Sequence, residues 1–220
     1  MSQQTKVRHP ARYTDVLLPV FAEMLDGATR VLDPFGGTGK IFELQSLLPW
    51  WVAIEAVEIE PEWAAMHPQT TLGSALDLPW IDGYFTDIVT SPAYGNRMAD
   101  HHEAKDASHR NTYTHALGRK LHPDNSGAMQ WGDQYREFHS KAWAEAKRVL
   151  CSGGHFILNI KDHIRKGQRV PVTDWHCNEL QAIGFTLIEH RRIECPGQRF
   201  GANGGARIDY ESIVLFEKGK

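Results

Sequence analysis

Val31-Leu32-Asp33 is a short apolar run that ends in Pro34-Phe35-Gly36-Gly37-Thr38-Gly39, and a helical stretch follows to about Leu48. A strand that breaks into glycines and then opens a helix constrains the fold more than any other feature of this chain. Parallel sheets covered by helices are built from such units. Open sheets of this kind bind ligands at the carboxyl ends of their strands. The same rhythm recurs along the sequence. Apolar residues at helical spacing mark Val16 to Leu25, with Gly27 as the stop. Val52 to Glu58 reads as the second strand, and Pro61 suits the first position of a helix over Glu62 to Met66. Further strands are expected at Thr70–Leu72, Phe85–Thr90, His155–Ile160, Phe185–Ile193 and Ile208–Glu217. Helices are expected at Tyr135–Leu150 and Pro171–Ile183, and Ser152-Gly153-Gly154 reads as a turn. The 220 residues thus predict one α/β domain, 1–220, with seven strands.

Residues 96–133 break the rhythm. They are rich in His, Asn, Asp, Gly and Ser and have no sustained periodicity, and so long an irregular insertion is functional or disordered. The net charge of -3 does not advertise nucleic-acid binding. Basic side chains are nevertheless unevenly placed: residues 161–207 hold eight Lys or Arg against five Asp or Glu. Local basic segments suit phosphate, and ordinary solvated charge explains them equally well. Three widely spaced cysteines, no apolar leader and no membrane-length apolar run predict a reduced, cytoplasmic setting away from membranes. The histidines between His101 and His122 are irregularly spaced and joined by no cysteine, so no metal site is expected.

The glycine loop fits neither G-x-G-x-x-G nor G-x-x-x-x-G-K-[ST], so a pyrophosphate is not its expected ligand. An acid, Asp33, precedes the glycines; it would repel phosphate and accept hydrogen bonds from a cationic amino-acid moiety. Glu58, 25 positions on, ends the second strand beside Ile59, where an acid is placed to bind a ribose diol. A ribose, no pyrophosphate and a positive amino-acid end describe S-adenosylmethionine.

Asp33-Pro34-Phe35-Gly36-Gly37-Thr38-Gly39 resembles the D-P-F-x-G-x-G motif of the DNA amino-methyltransferases, and Ser91-Pro92-Ala93-Tyr94 resembles their [DNS]-P-P-[YFW] motif. The resemblance spans roughly residues 9 to 217. It implies a Rossmann-like class I methyltransferase fold: a mostly parallel seven-stranded sheet with an antiparallel last strand and helices on both faces. It implies S-adenosylmethionine held by Asp33, Pro34, Phe35, Gly36, Gly37, Gly39, Glu58 and Ile59, with Ser74 and Ala75 at the adenine. It also implies that His9 to Tyr13 close over the methionine end. Two residues depart from the pattern. Ala93 stands where the family commonly has Pro, and Ser74 stands where it often has an acid, with Asp77 three positions on.

The resemblance places transfer at Ser91, Pro92, Ala93 and Tyr94. An exocyclic base amine is a weak nucleophile, so the site must align it and accept hydrogen bonds from its N–H groups. The Ser91 hydroxyl and the Pro92 carbonyl are the acceptors, and Tyr94 can stack on the base. No Pro-Cys pair offers a route to cytosine C5, and no G-x-S-x-G elbow makes Ser91 a nucleophile. Duplex DNA would present its base flipped, with contacts from Arg97, Tyr113, Arg119, Lys161, Arg199 and Arg207. Serine at the first position is more typical of family members that methylate cytosine N4, and aspartate of those that methylate adenine N6. An adenine enzyme, an RNA base methyltransferase and a non-catalytic binding module on the same fold are the alternatives.

Overall fold

The computed structural model describes residues 14–95, 112–195 and 207–220. Seven strands form one sheet in the order β3-β2-β1-β4-β5-β9-β8. These are β1 (Arg30–Asp33), β2 (Ala53–Glu58), β3 (Thr70–Leu72), β4 (Phe85–Thr90), β5 (Leu150–Ile160), β8 (Phe185–Glu194) and β9 (Tyr210–Lys218). The first five pair in parallel, and β9 runs antiparallel between β5 and β8. This is the Rossmann-like arrangement expected from the sequence.

Alternation along the central strands sorts their side chains into two cores. Leu32, Ile88, Phe156, Leu158, Val214 and Phe216 face α4 (Asp133–Val149) and α5 (Val172–Ala182). Val31, Val89, Ile157 and Ile213 face α1 (Leu18–Met24) and the 3-10 helix Lys40–Ser46. Helices therefore cover both faces. Chain direction across the sheet reverses between β1 and β4, which opens a crevice at their carboxyl ends. Both sequence motifs sit there.

Three local expectations change. The segment after Gly39 is a 3-10 helix. Its tight winding returns the chain to β2, and the Gln45 side chain closes that return by donating to the Trp50 carbonyl and accepting from the Val52 amide. Ser152-Gly153-Gly154 is an irregularity inside β5, because pairing jumps from Phe85–Leu150 to Asp87–His155. A hairpin, β6 (His163–Arg165) and β7 (Gln168–Val170), follows β5. Its two-residue turn, Lys166 at φ 51° and Gly167 at φ 76°, lacks the Asn-Gly or Asp-Gly pair that announces such turns. Among the described residues two short α-helices remain. α2 spans Pro61–Ala64, with its proline in the first turn, and α3 spans Tyr113–Leu117. Among the described residues no helix is long and apolar enough to cross a membrane. All three cysteines are free thiols.

Candidate active site

The glycine loop is pressed onto β2. The Gly36 amide donates to the Val57 carbonyl at 2.8 Å, and a Cβ on Gly36 would come within 2.6 Å of the Ala56 Cβ. Gly37, at φ 52°, turns its amide toward Glu58 Oε2 at 2.8 Å. The Glu60 amide donates to Glu58 Oε1 at 2.8 Å. Glu58 is 8% exposed. Burial raises its carboxyl to about 7, against the pull of these backbone donors. Asp33 is fully buried, and its Oδ1 accepts from the Phe35 amide at 3.0 Å and the Thr90 hydroxyl at 2.9 Å. It ties the tip of β1 to the tip of β4 and stands behind the loop. Gly39, at φ 81°, also lies behind, where a Cβ would crowd Phe42 and His67.

The second wall follows β4. The Ser91 hydroxyl lies 2.9 Å from the Tyr94 hydroxyl. Asn159, on β5, directs its Nδ2 to Ser91 Oγ at 3.2 Å, Tyr94 Oη at 3.3 Å and Glu211 Oε2 at 2.9 Å. Burial, then the Glu211 charge, raises the Tyr94 phenol well above its ordinary range, so it remains a donor. Gly95, at φ 66°, accepts from the Trp131 amide at 3.0 Å and turns the chain away.

A third wall comes from the latter part of the expected insertion. Glu60, fully buried two residues past the end of β2, accepts from the His122 amide at 2.7 Å and Asn125 Nδ2 at 2.8 Å, and pairs with Arg119 at 2.8 Å. Arg119 also pairs with Glu62. These bonds fold Tyr113, Asn125 and Ser126 over the crevice, with the Tyr113 ring edge-on to Trp63 at 5.6 Å.

The walls enclose a cavity of about 300 Å³. Of the residues expected at the cofactor, Pro34, Phe35, Gly36, Gly37, Glu58, Ile59, Ser74 and Ala75 line it. All of Ser91, Pro92, Ala93 and Tyr94 line it too, as does Tyr113. Arg119 is committed to Glu60 and Glu62 outside the lining. Lys161 reaches the Cys195 carbonyl at 3.4 Å, and Arg207 is exposed. Arg97, Arg199, the segment His9 to Tyr13 and the first part of the 96–133 insertion lie outside the described residues. Sequence reasoning missed Glu60 and Glu211. Only their places, two residues past one strand-end acid and at the start of the closing strand, could have signalled them.

No protein-family model and no curated protein matches the sequence. Solved structures do match its shape. A SAM-dependent methyltransferase of Methanosarcina mazei superposes over 91% of this chain and 97% of its own, with a TM-score of 0.58 and 14% identity. The 1,6-didemethyltoxoflavin-N1-methyltransferase of Burkholderia thailandensis, solved with S-adenosylhomocysteine, covers 98% of this chain and 80% of its own at TM-score 0.55 and 13% identity. TrmN of Thermus thermophilus covers 94% of this chain at TM-score 0.56 and 16% identity, and the chain spans 49% of its length. At such identities the likeness speaks for the fold: the chain has the Rossmann-like fold of the class I S-adenosylmethionine-dependent methyltransferases.

Proposed function

We propose that the chain is an S-adenosylmethionine-dependent methyltransferase acting on an exocyclic amino group of a nucleic-acid base, with cytosine N4 in DNA as the leading acceptor. The observation that carries this reading is one cavity lined both by the glycine loop with Glu58 and by Ser91 to Tyr94. The donor set suits the cofactor. Glu58 retains acceptor capacity beyond its two backbone bonds and would take a ribose diol. Pro34 to Gly37 would hold the amino-acid end, and Ile59, Ser74 and Ala75 would hold the adenine. When bound, the cofactor supplies an electrophilic methyl group that needs no activation by the protein.

The residues of the chain orient the acceptor and receive its hydrogens. Ser91 Oγ and the Pro92 carbonyl accept from an amine in the pocket, and Tyr94 lies beside them. Serine rather than aspartate at position 91 favours cytosine on the family resemblance. DNA would be held through its phosphates, and a duplex would deliver its base flipped.

Incubation with labelled cofactor and either DNA or RNA, followed by nucleoside analysis, tests the reading. N4-methylcytosine in DNA is expected. Methylated adenine alone overturns the choice of base, label in RNA alone overturns the choice of polymer, and label in neither overturns the base-methylating reading.

A further inference from the structure

Glu211 stands at the start of β9, the antiparallel strand wedged between β5 and β8, and it lines the cavity beside Ser91 and Tyr94. Its neighbours hold it by one oxygen. Asn159, 1% exposed, donates to Oε2 at 2.9 Å, and the Tyr94 hydroxyl lies 3.4 Å from the same atom. The Asn159 orientation follows from charge, because the flipped amide would aim its oxygen at a carboxylate. Among the described residues nothing bonds Glu211 Oε1. A partly buried carboxylate is costly to keep for packing alone. This one is fixed by a buried amide, borders the cavity and retains an uncommitted oxygen.

We propose that Glu211 is the proton-accepting group of the acceptor site and selects an amine over a carbonyl at the same ring position. This rests on the base-methylating reading. Ser91 brings an acceptor without charge, and Glu211 supplies the charge from β9, two strands from β4 on the same cavity wall. The nitrogen lone pair forms the N–CH3 bond while the CH3–S bond breaks and leaves its electron pair on sulfur. The nitrogen, now cationic, passes one N–H proton to Glu211, and the resulting carboxylic acid releases it to water. A sulfonium and a carboxylate become a neutral thioether and a neutral acid, so charge balances. An entering carbonyl, by contrast, would face a carboxylate with no proton between them.

The test titrates protein loaded with S-adenosylhomocysteine against deoxycytidine and deoxyuridine, and against deoxyadenosine and deoxyinosine, following amide resonances. At least one amino nucleoside should bind about tenfold tighter than its carbonyl partner. Glu211→Ala should lower that ratio several-fold, leaving the part set by the Pro92 carbonyl, while S-adenosylhomocysteine affinity stays within about twofold. In the second arm, Glu211→Gln should lower kcat on DNA by about a hundredfold or more with little change in KM, the scale of a lost proton acceptor. Undiminished discrimination in Glu211→Ala, or unchanged kcat in Glu211→Gln, overturns the role of Glu211 and leaves the base-methylating reading standing. Equal binding of amino and carbonyl nucleosides by the wild-type protein, with no label in nucleic acid, overturns both.

Discussion

The Tyr135 hydroxyl donates to the Ala93 carbonyl at 2.7 Å, joining the long helix α4 to the tetrapeptide after β4. The bond ends a buried relay. The Trp143 indole can only donate, and it does so to His176 Nδ1 at 2.9 Å. His176 must then carry its proton on Nε2, which faces the Tyr135 oxygen at 2.9 Å. Burial pushes the His176 imidazole well below its usual range and keeps it neutral, as this relay requires. Phe35 of the glycine loop stacks on His139 of the same cluster at 5.8 Å. One aromatic core thus braces both halves of the site.

Tyr135→Phe removes the donor to Ala93 and leaves the His176 N–H buried without an acceptor. The expected cost is about 1–3 kcal/mol in denaturant unfolding. Turnover should fall by about tenfold or more while S-adenosylhomocysteine affinity holds within a few-fold, because the loosened wall is the one proposed to hold the acceptor. Equal turnover at lowered stability would show that the relay serves packing alone.

Glu58 gives the site a pH dependence with a definite sign. Its carboxyl, ordinarily near 4.5, lies at about 7 in the folded protein. Between those values the folded state binds a proton that the unfolded chain does not, so stability declines as pH rises from one to the other. A ribose diol needs the ionised carboxylate as acceptor. S-adenosylhomocysteine should therefore bind more tightly as pH rises through about 7, by up to about tenfold per unit below it, and level off above. Calorimetry across this range is the measurement. A flat affinity in the wild-type protein would place the diol elsewhere, and Glu58→Ala should bind weakly with the slope removed.

The sequence announced what periodicity and turn chemistry encode. β1 and β4 lie where apolar runs placed them, the brief β3 lies at Thr70–Leu72 as expected, and the loop from Pro34 to Gly39 was legible because glycine is the residue for close approach. The convergence of Glu58, Ser91 and the loop followed from their shared place at strand ends. Side-chain partners across the sheet were not legible. Glu211 lies 117 residues from Tyr94, and no local pattern distinguishes it from any acid that begins a strand. Arg119 read as a phosphate contact because loop arginines commonly serve as such, and its binding to Glu60 depends on a fold that closes over 57 residues to Glu62. The β6–β7 hairpin was hidden because Lys166, a residue with a Cβ, adopts positive φ in its turn.

Arg119 and Arg207 separate two meanings of a basic side chain. Arg119 is tied to buried Glu60, whereas Arg207 is exposed. If DNA is the partner, Arg207→Ala should reduce the slope of log affinity against log salt by about one. Arg119→Ala should leave that slope unchanged. It should instead destabilise the fold by about 1–3 kcal/mol, because buried Glu60 loses one of its partners. It should also weaken cofactor binding through the loosened Asn125 wall. A changed slope in Arg119→Ala would mean that the arginine leaves the two glutamates for phosphate.

Gly36 and Gly27 offer a matched pair for the glycine loop. A Cβ on Gly27, at φ 77°, meets nothing within 4 Å, so Gly27→Ala suffers only the left-handed backbone strain, about 1–2 kcal/mol. A Cβ on Gly36 would meet Ala56 at 2.6 Å, and Gly36 lines the cavity while its amide bonds the Val57 carbonyl. To relieve that contact the loop must lift off β2 and enter the cavity proposed for the cofactor, an overpacking cost of about 1–3 kcal/mol. The two variants should therefore unfold at similar denaturant concentrations, yet S-adenosylhomocysteine should bind Gly27→Ala as it binds the wild type and Gly36→Ala about tenfold or more weakly. Equal affinity for both would show that the ligand does not lie against this loop, and the cofactor assignment would fall with it.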